Sequence, residues 1–224
     1  MPGRDIPLIT GQTYHIVNRG VASQPIFHRA HDYQRVLDVI LFYQNIHPPI
    51  RYSYFKRMPP KEKSFLFDKL KKENKFLVDI IAYCLMPNHI HLLLSQRQEK
   101  GISLFMSQVA NSYTKYFNTI LKRHGPIFQG KFKAVRVETN EQLLHVSRYI
   151  HLNPYTSYVV KTLNQLERYP YSSLAEYLKL GSTNFCNTSN ILSNFSPKFS
   201  YKSFIYDQAD YQRELGNIKH ITLE

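Results

Sequence analysis

The run Phe76-Leu77-Val78-Asp79-Ile80-Ile81-Ala82-Tyr83-Cys84 constrains the fold of this chain more than any other feature. Its β-branched and aromatic content reads as a buried strand. Met86-Pro87-Asn88 then makes a tight turn into His89-Ile90-His91-Leu92-Leu93-Leu94. An apolar hairpin of this kind belongs at the heart of a sheet. The flanking sequence supplies the rest of that sheet. Thr13 to Asn18 alternates as a first strand, and Asp32 to Asn45 places Val36, Val39, Ile40 and Tyr43 at helical spacing before His47-Pro48-Pro49 ends the helix. From Ile102 to Lys122 the apolar residues again follow helical spacing, until Gly125-Pro126. Lys133 to Glu138 is a fourth strand. Thr139 or Asn140 caps a helix through Glu141 to Leu152, expected to end before Pro154.

The order β-α-β-β-α-β predicts an α+β fold, a ferredoxin-like or RRM-like antiparallel sheet with helices on one face. The other face is then free for a ligand. From Pro154 onward the chain is less periodic and rich in Ser, Asn and Tyr, which predicts a C-terminal helical appendage. The expected division is a domain over residues 1–153, with a basic insertion over 48–75, and an extension over 154–224 packed on it. Within that insertion Arg51 to Lys75 carries nine Lys/Arg against three acids.

At 224 residues the chain can bury a sizeable core, and 43% hydrophobic against 20% charged residues excludes a disordered basic tail. A net charge of +13 makes nucleic acid the expected partner. Cys84 and Cys186 show no metal or redox spacing, and no apolar leader or membrane-length run occurs, so a soluble protein of the reduced cytoplasm, associated with the nucleoid, is expected.

Two patterns carry chemistry. Residues two apart in a strand share a face, so His89 and His91 emerge together, about 7 Å apart, and can converge on one divalent ion. Such a pair also occurs as a structural feature, but flanked by Leu92-Leu93-Leu94 it would be costly to bury without partners. Tyr149 and Asn153 stand four apart at the end of a helix, presenting a phenol and an amide on one face. Asn153 can complete a metal site that lacks a carboxylate; its alternative role is a helix cap before Pro154. His145 and His151 are further candidates, for proton transfer.

Four ordered motifs, Met86-Pro87-Asn88-His89-Ile90-His91, Phe128-Gln129-Gly130-Lys131-Phe132, Arg148-Tyr149-Ile150-His151-Leu152-Asn153-Pro154 and Tyr169-Pro170-Tyr171-Ser172-Ser173, resemble the REP-associated tyrosine transposases. These lie within the insertion-sequence single-tyrosine transposases of the HUH superfamily. The resemblance spans roughly residues 12 to 175. It implies a DNA transposase that binds hairpin-flanked single-stranded DNA, cleaving and rejoining it through a covalent 5′-phosphotyrosine intermediate. His89 and His91 match the family's metal pair, Asn153 the polar third ligand and Tyr149 the nucleophile, with Mg²⁺ or Mn²⁺ as the ion. The chain departs from the family pattern where Tyr155-Thr156-Ser157-Tyr158 follows Asn-Pro, at Lys131 in place of arginine, and at Tyr171 in place of tryptophan.

Single-strand binding needs cations interleaved with stacking platforms. Lys100 to Val137 has no acidic residue but contains Lys115, Lys122, Arg123, Lys131, Lys133 and Arg136, with Gln129 and Phe132 among them; Arg19 follows the first strand. These are the expected DNA contacts, on a monomer or homodimer. Two other readings compete. A domesticated, non-catalytic DNA- or RNA-binding module on the same scaffold explains the charge but gives His89, His91 and Tyr149 no shared purpose. An unrelated metal-dependent hydrolase would need a carboxylate, and Asp79 and Glu99 lie outside the motifs.

Overall fold

The computed structural model describes residues 7–180, 185–196 and 199–214. Four strands, β1 (Thr13–Arg19), β2 (Val78–Met86), β3 (His89–Gln96) and β4 (Lys133–Val137), form one antiparallel sheet in the order β2-β3-β1-β4. That is the ferredoxin-like order expected from the sequence. Helices α1 (Ala30–Tyr43) and α4 (Gly101–Leu121) pack together against one face. Their apolar stripes, including Val36, Ile40, Phe105 and Tyr113, meet Tyr14, Ile16, Ile90, Leu92 and Leu94 from the sheet in the larger core.

The opposite face, expected to be free for a ligand, is instead crossed by helix α5 (Asn140–Thr156) over β2 and β3. There Ile150 and Leu152 join Ile81, Ala82, Cys84, Met86 and Leu93 in a second core. The long apolar run of β2 follows from this double burial. A bulge between Ile80 and Ala82 puts Ile81 and Ala82 consecutively into the second core, and alternation then resumes.

The basic insertion is ordered as α2 (Tyr52–Phe55) and α3 (Pro60–Glu73), which bury Tyr52, Phe55, Leu66 and Leu70 against the first core while their lysines stay outside. Helix α3 opens with Pro60 in its first turn, where a missing N–H costs nothing.

Thr139 caps α5 through a reciprocal pair with Gln142. The helix does not end before Pro154; it continues to Thr156 with Pro154 inside. The backbone bond that Pro154 cannot donate is offset by burying Pro154 and Tyr155 and by the Ser157 N–H donating to the Asn153 carbonyl at 3.0 Å. Asn153 is therefore a helical residue and not a cap.

Short helices α6 (Leu163–Glu167), α7 (Leu174–Tyr177), α8 (Ser189–Leu192) and α9 (Tyr201–Tyr206) close over the second core. The Tyr169-to-Ser173 motif lies along the outer edge of β2, with the Leu85 N–H donating to the Tyr171 carbonyl and the Ser173 N–H to the Tyr83 carbonyl. The unusual Tyr155 and Tyr158 have a role here, since the Arg213 guanidinium lies 4.1 Å from each ring and Tyr155 Oη donates to Asp210. They tie the C-terminal segment to the tyrosine-bearing helix. Among the described residues no helix is long and apolar enough to cross a membrane.

Candidate active site

Strand β3 aims His89 and His91 at the face that α5 crosses, and their rings lie 4.7 Å apart edge to face. Both are buried, at 8% and 3% exposure. Antiparallel pairing of Val17 with His91 puts His15 of β1 on this face too. His15 Nε2 lies 3.0 Å from His91 Nδ1, and its ring packs at 5.2 Å from that of His91. Burial holds His15 and His89 down to about 4 and His91 well below its ordinary value, so all three are neutral at pH 7. The Arg19 charge, across from His89, pushes in the same direction.

The hydrogen bonds decide which nitrogens are available. Asn88 donates its amide to the Ser23 carbonyl, leaving Oδ1 to accept from His89 Nδ1 at 2.6 Å. His91 Nδ1–H donating to His15 Nε2 likewise leaves a bare lone pair on His91 Nε2. That atom is buried and has no hydrogen-bond partner. Asn153, 4% exposed, brings its amide within hydrogen-bonding reach of His89.

Tyr149, one turn earlier on α5, stands against the same group. Its ring meets His91 at 5.6 Å and His15 at 5.8 Å, both edge to face, and it is 45% exposed. The four residues predicted for metal binding and attack, His89, His91, Asn153 and Tyr149, therefore converge, and the phenol is open to solvent.

Residues 46–153, just under half of the chain, match the model of the IS200-like transposases, a span that contains all four. This stretch is similar to the IS200-like transposases. A solved structure, described as a REP-associated tyrosine transposase bound to a REP hairpin, has the same fold with a TM-score of 0.51 and 16% identity, covering 83% of this chain and 90% of that one. No curated protein matches the chain significantly.

The fold divides the expected DNA-contacting residues between two sides. Arg19, Gln129 and Lys133 gather beside the site: the Gln129 N–H donates to the Arg19 carbonyl, and Lys133 pairs with Val17, itself opposite His91. Gly20 permits this junction, because a Cβ there would lie 2.5 Å from the Gln24 carbonyl. Lys131 is exposed in the same loop, while Phe132 is half-buried and packs on the first core.

Lys115 lies on α4, across the sheet, and Lys122 is the exposed C-cap of that helix. Arg123 folds back over Phe117 and donates to the Pro126 carbonyl. Arg136 pairs with Tyr14, whose side chain enters the first core, and it is tied to Gln12 and Glu138. These four do not join the histidines.

His151 is fully buried between Tyr201 and Ser173, at 2.7 Å from each hydroxyl, and has no path to substrate. His145 contacts Arg148 and Glu141 on the helix surface. His15 was missed by motif reading. Its only sequence signal is the alternation Thr13, His15, Val17, which becomes informative once the register against β3 is known.

Proposed function

We propose that the chain is a DNA transposase that cleaves and rejoins single-stranded DNA beside a hairpin, with Tyr149 as nucleophile. The observation that carries this reading is the Tyr149 ring set edge-on to His91, whose buried Nε2 lone pair has no protein partner. Two lone pairs fixed by second residues and an amide suit a divalent ion, which His89 and His91 through Nε2 and Asn153 through its carbonyl oxygen would hold. Among the described residues no group of three or more His, Cys, Asp or Glu could hold a metal ion, so the proposed site would rest on two imidazoles and the Asn153 amide. When bound, Mg²⁺ or Mn²⁺ would supply Lewis acidity at the scissile phosphate.

The chain's own residues do the rest. Arg19 and Lys133 attract the backbone and hold the strand along β1, with Gln129 beside them to meet an unpaired base. Tyr149 Oη attacks phosphorus; a P–O bond to tyrosine forms as the bond to the 3′-oxygen breaks, and the phenol proton is lost while the 3′-oxygen gains one. The strand is left on Tyr149 through its 5′-phosphate. A second DNA 3′-hydroxyl reverses the exchange and rejoins the strand without an external energy source. Residues 1–153 form the catalytic unit in this reading, and residues 154–224 an extension that holds α5.

Incubation with labelled hairpin DNA and Mg²⁺ tests the assignment. A protein–DNA adduct resistant to denaturation is expected from the wild type and absent from Tyr149→Phe; an undiminished adduct from the variant would overturn it.

A further inference from the structure

The helical side of the molecule, across the sheet from Tyr149, has a cleft of about 860 Å³ between α1, the 51–63 segment and α4. Arg35, Arg51, Lys56, Lys63 and Lys115 line it, against the single carboxylate of Asp38. At its wall the Arg35 guanidinium lies 3.9 Å from the Tyr52 ring centre and 5.4 Å from that of Tyr116. Arg35 Nη2 donates to Ser112 at 3.3 Å, but its Nε and Nη1 have no acceptor. The Tyr52 hydroxyl and Gln108 Oε1, also on this wall, are buried without partners. Buried polar groups are nearly always satisfied, so the three donors among these atoms, Arg35 Nε and Nη1 and the Tyr52 hydroxyl, beside one cationic cleft point to a polyanionic ligand.

We propose that this cleft is a second nucleic-acid site, which takes the phosphodiester backbone of a DNA segment other than the strand at Tyr149. The proposal rests on the transposase reading above for the identity of the polymer. Its cations come from three separate elements, α1, the insertion and α4, and so line an extended path instead of converging on one phosphate group. Tyr52 and Tyr116 hold the Arg35 guanidinium at this wall, and its fork of donors suits phosphate oxygens. The basic insertion thus serves as one bank of a channel. A free nucleotide or polyphosphate shares the chemistry and is distinguished by experiment.

The variant R51E/K56E/K63E reverses two exposed charges and the half-buried one of Lys63 on the full chain, and a thermal melt verifies that it folds. Binding is read by fluorescence anisotropy in EDTA, with Tyr149 intact, using a long-stem hairpin and a short single strand without a stem. The readout needs no divalent ion, so it succeeds or fails independently of covalent chemistry. Hairpin affinity is expected to fall at least about tenfold and the log–log salt slope to drop by about 2 to 3, with a smaller loss for the short strand. Unchanged hairpin affinity and slope would overturn the proposal. So would a melting-temperature rise with ATP or pyrophosphate that the variant loses while its hairpin affinity is retained, since that identifies a free-phosphate site.

Discussion

His15 Nε2 and His91 Nδ1, separated by 76 positions in sequence, stand 3.0 Å apart on neighbouring strands. With His91 Nδ1 as the donor, the contact places the proton on the inner nitrogen of His91 and leaves the outer one bare. In the proposed function, His15 is therefore a positioning residue for the imidazole that would hold the ion. His15→Ala is expected to weaken Mn²⁺ binding about 10- to 100-fold, the usual cost of losing such an outer partner. Titration calorimetry with the apo protein reads it directly; an unaltered affinity would remove His15 from the site.

Acid stability follows from His151. Burial holds its imidazole at about 3 against 6.5 in the unfolded chain. Between those values the unfolded chain binds a proton that the folded one does not, so stability is flat above about pH 6.5 and falls toward pH 3. His15 and His89 contribute with the same sign. His151→Gln, which cannot titrate, should show a shallower fall in melting temperature between pH 7.5 and 4.5 than the wild type. Parallel curves would show that His151 is not a source of the acid sensitivity.

Gly20 sits where β1 leaves the sheet and meets the 127–130 loop, its N–H donating to the Asn88 carbonyl at 2.8 Å. Gly20→Ala places a methyl 2.5 Å from the Gln24 carbonyl and 2.8 Å from Ile26 Cγ2. A destabilisation of about 1–3 kcal/mol is expected from the overpacking, measured by urea unfolding. Because Arg19, Asn88 and Gln129 meet at this junction, DNA affinity should fall with it.

Thr139 accepts from the Gln142 N–H at 3.1 Å and starts the helix that carries Tyr149. Thr139→Ala should cost about 1 kcal/mol. Tyr149 and Asn153 lie ten and fourteen residues beyond the cap, held by the second core. Adduct yield at a temperature well below melting should stay near wild type; a collapse there would show that the cap governs the tyrosine's placement.

What could be read from the chain alone tracks how local its cause is. The strand that presents His89 and His91, the helix that presents Tyr149 and Asn153, and the α+β order all follow from spacing within a dozen residues. His15 does not, because its value depends on register between β1 and β3. His151 carries the polar look of a surface residue, and its buried partners Ser173 and Tyr201 come from distant segments. Lys115 and Arg136 share a basic stretch with Lys133, yet side-chain direction separates them: Arg136 and Lys133 are three apart on one strand and so leave opposite faces. Pro154 signals a helix end locally, and the packing of Pro154 and Tyr155 overrides it.

The bulge at Ile81 sets what evolution can do with the length of this chain. Losing or gaining one residue between Val78 and Ile81 would exchange the inward and outward sets along β2, sending Cys84 and Met86 away from the tyrosine helix. The segment over 48–75, which meets the sheet only through a few anchoring apolar side chains, carries no such parity. Insertions and deletions should accumulate in its surface turns and be purged from β2, so lineages of this fold can remodel their outer bank while the distance between imidazole and phenol stays fixed.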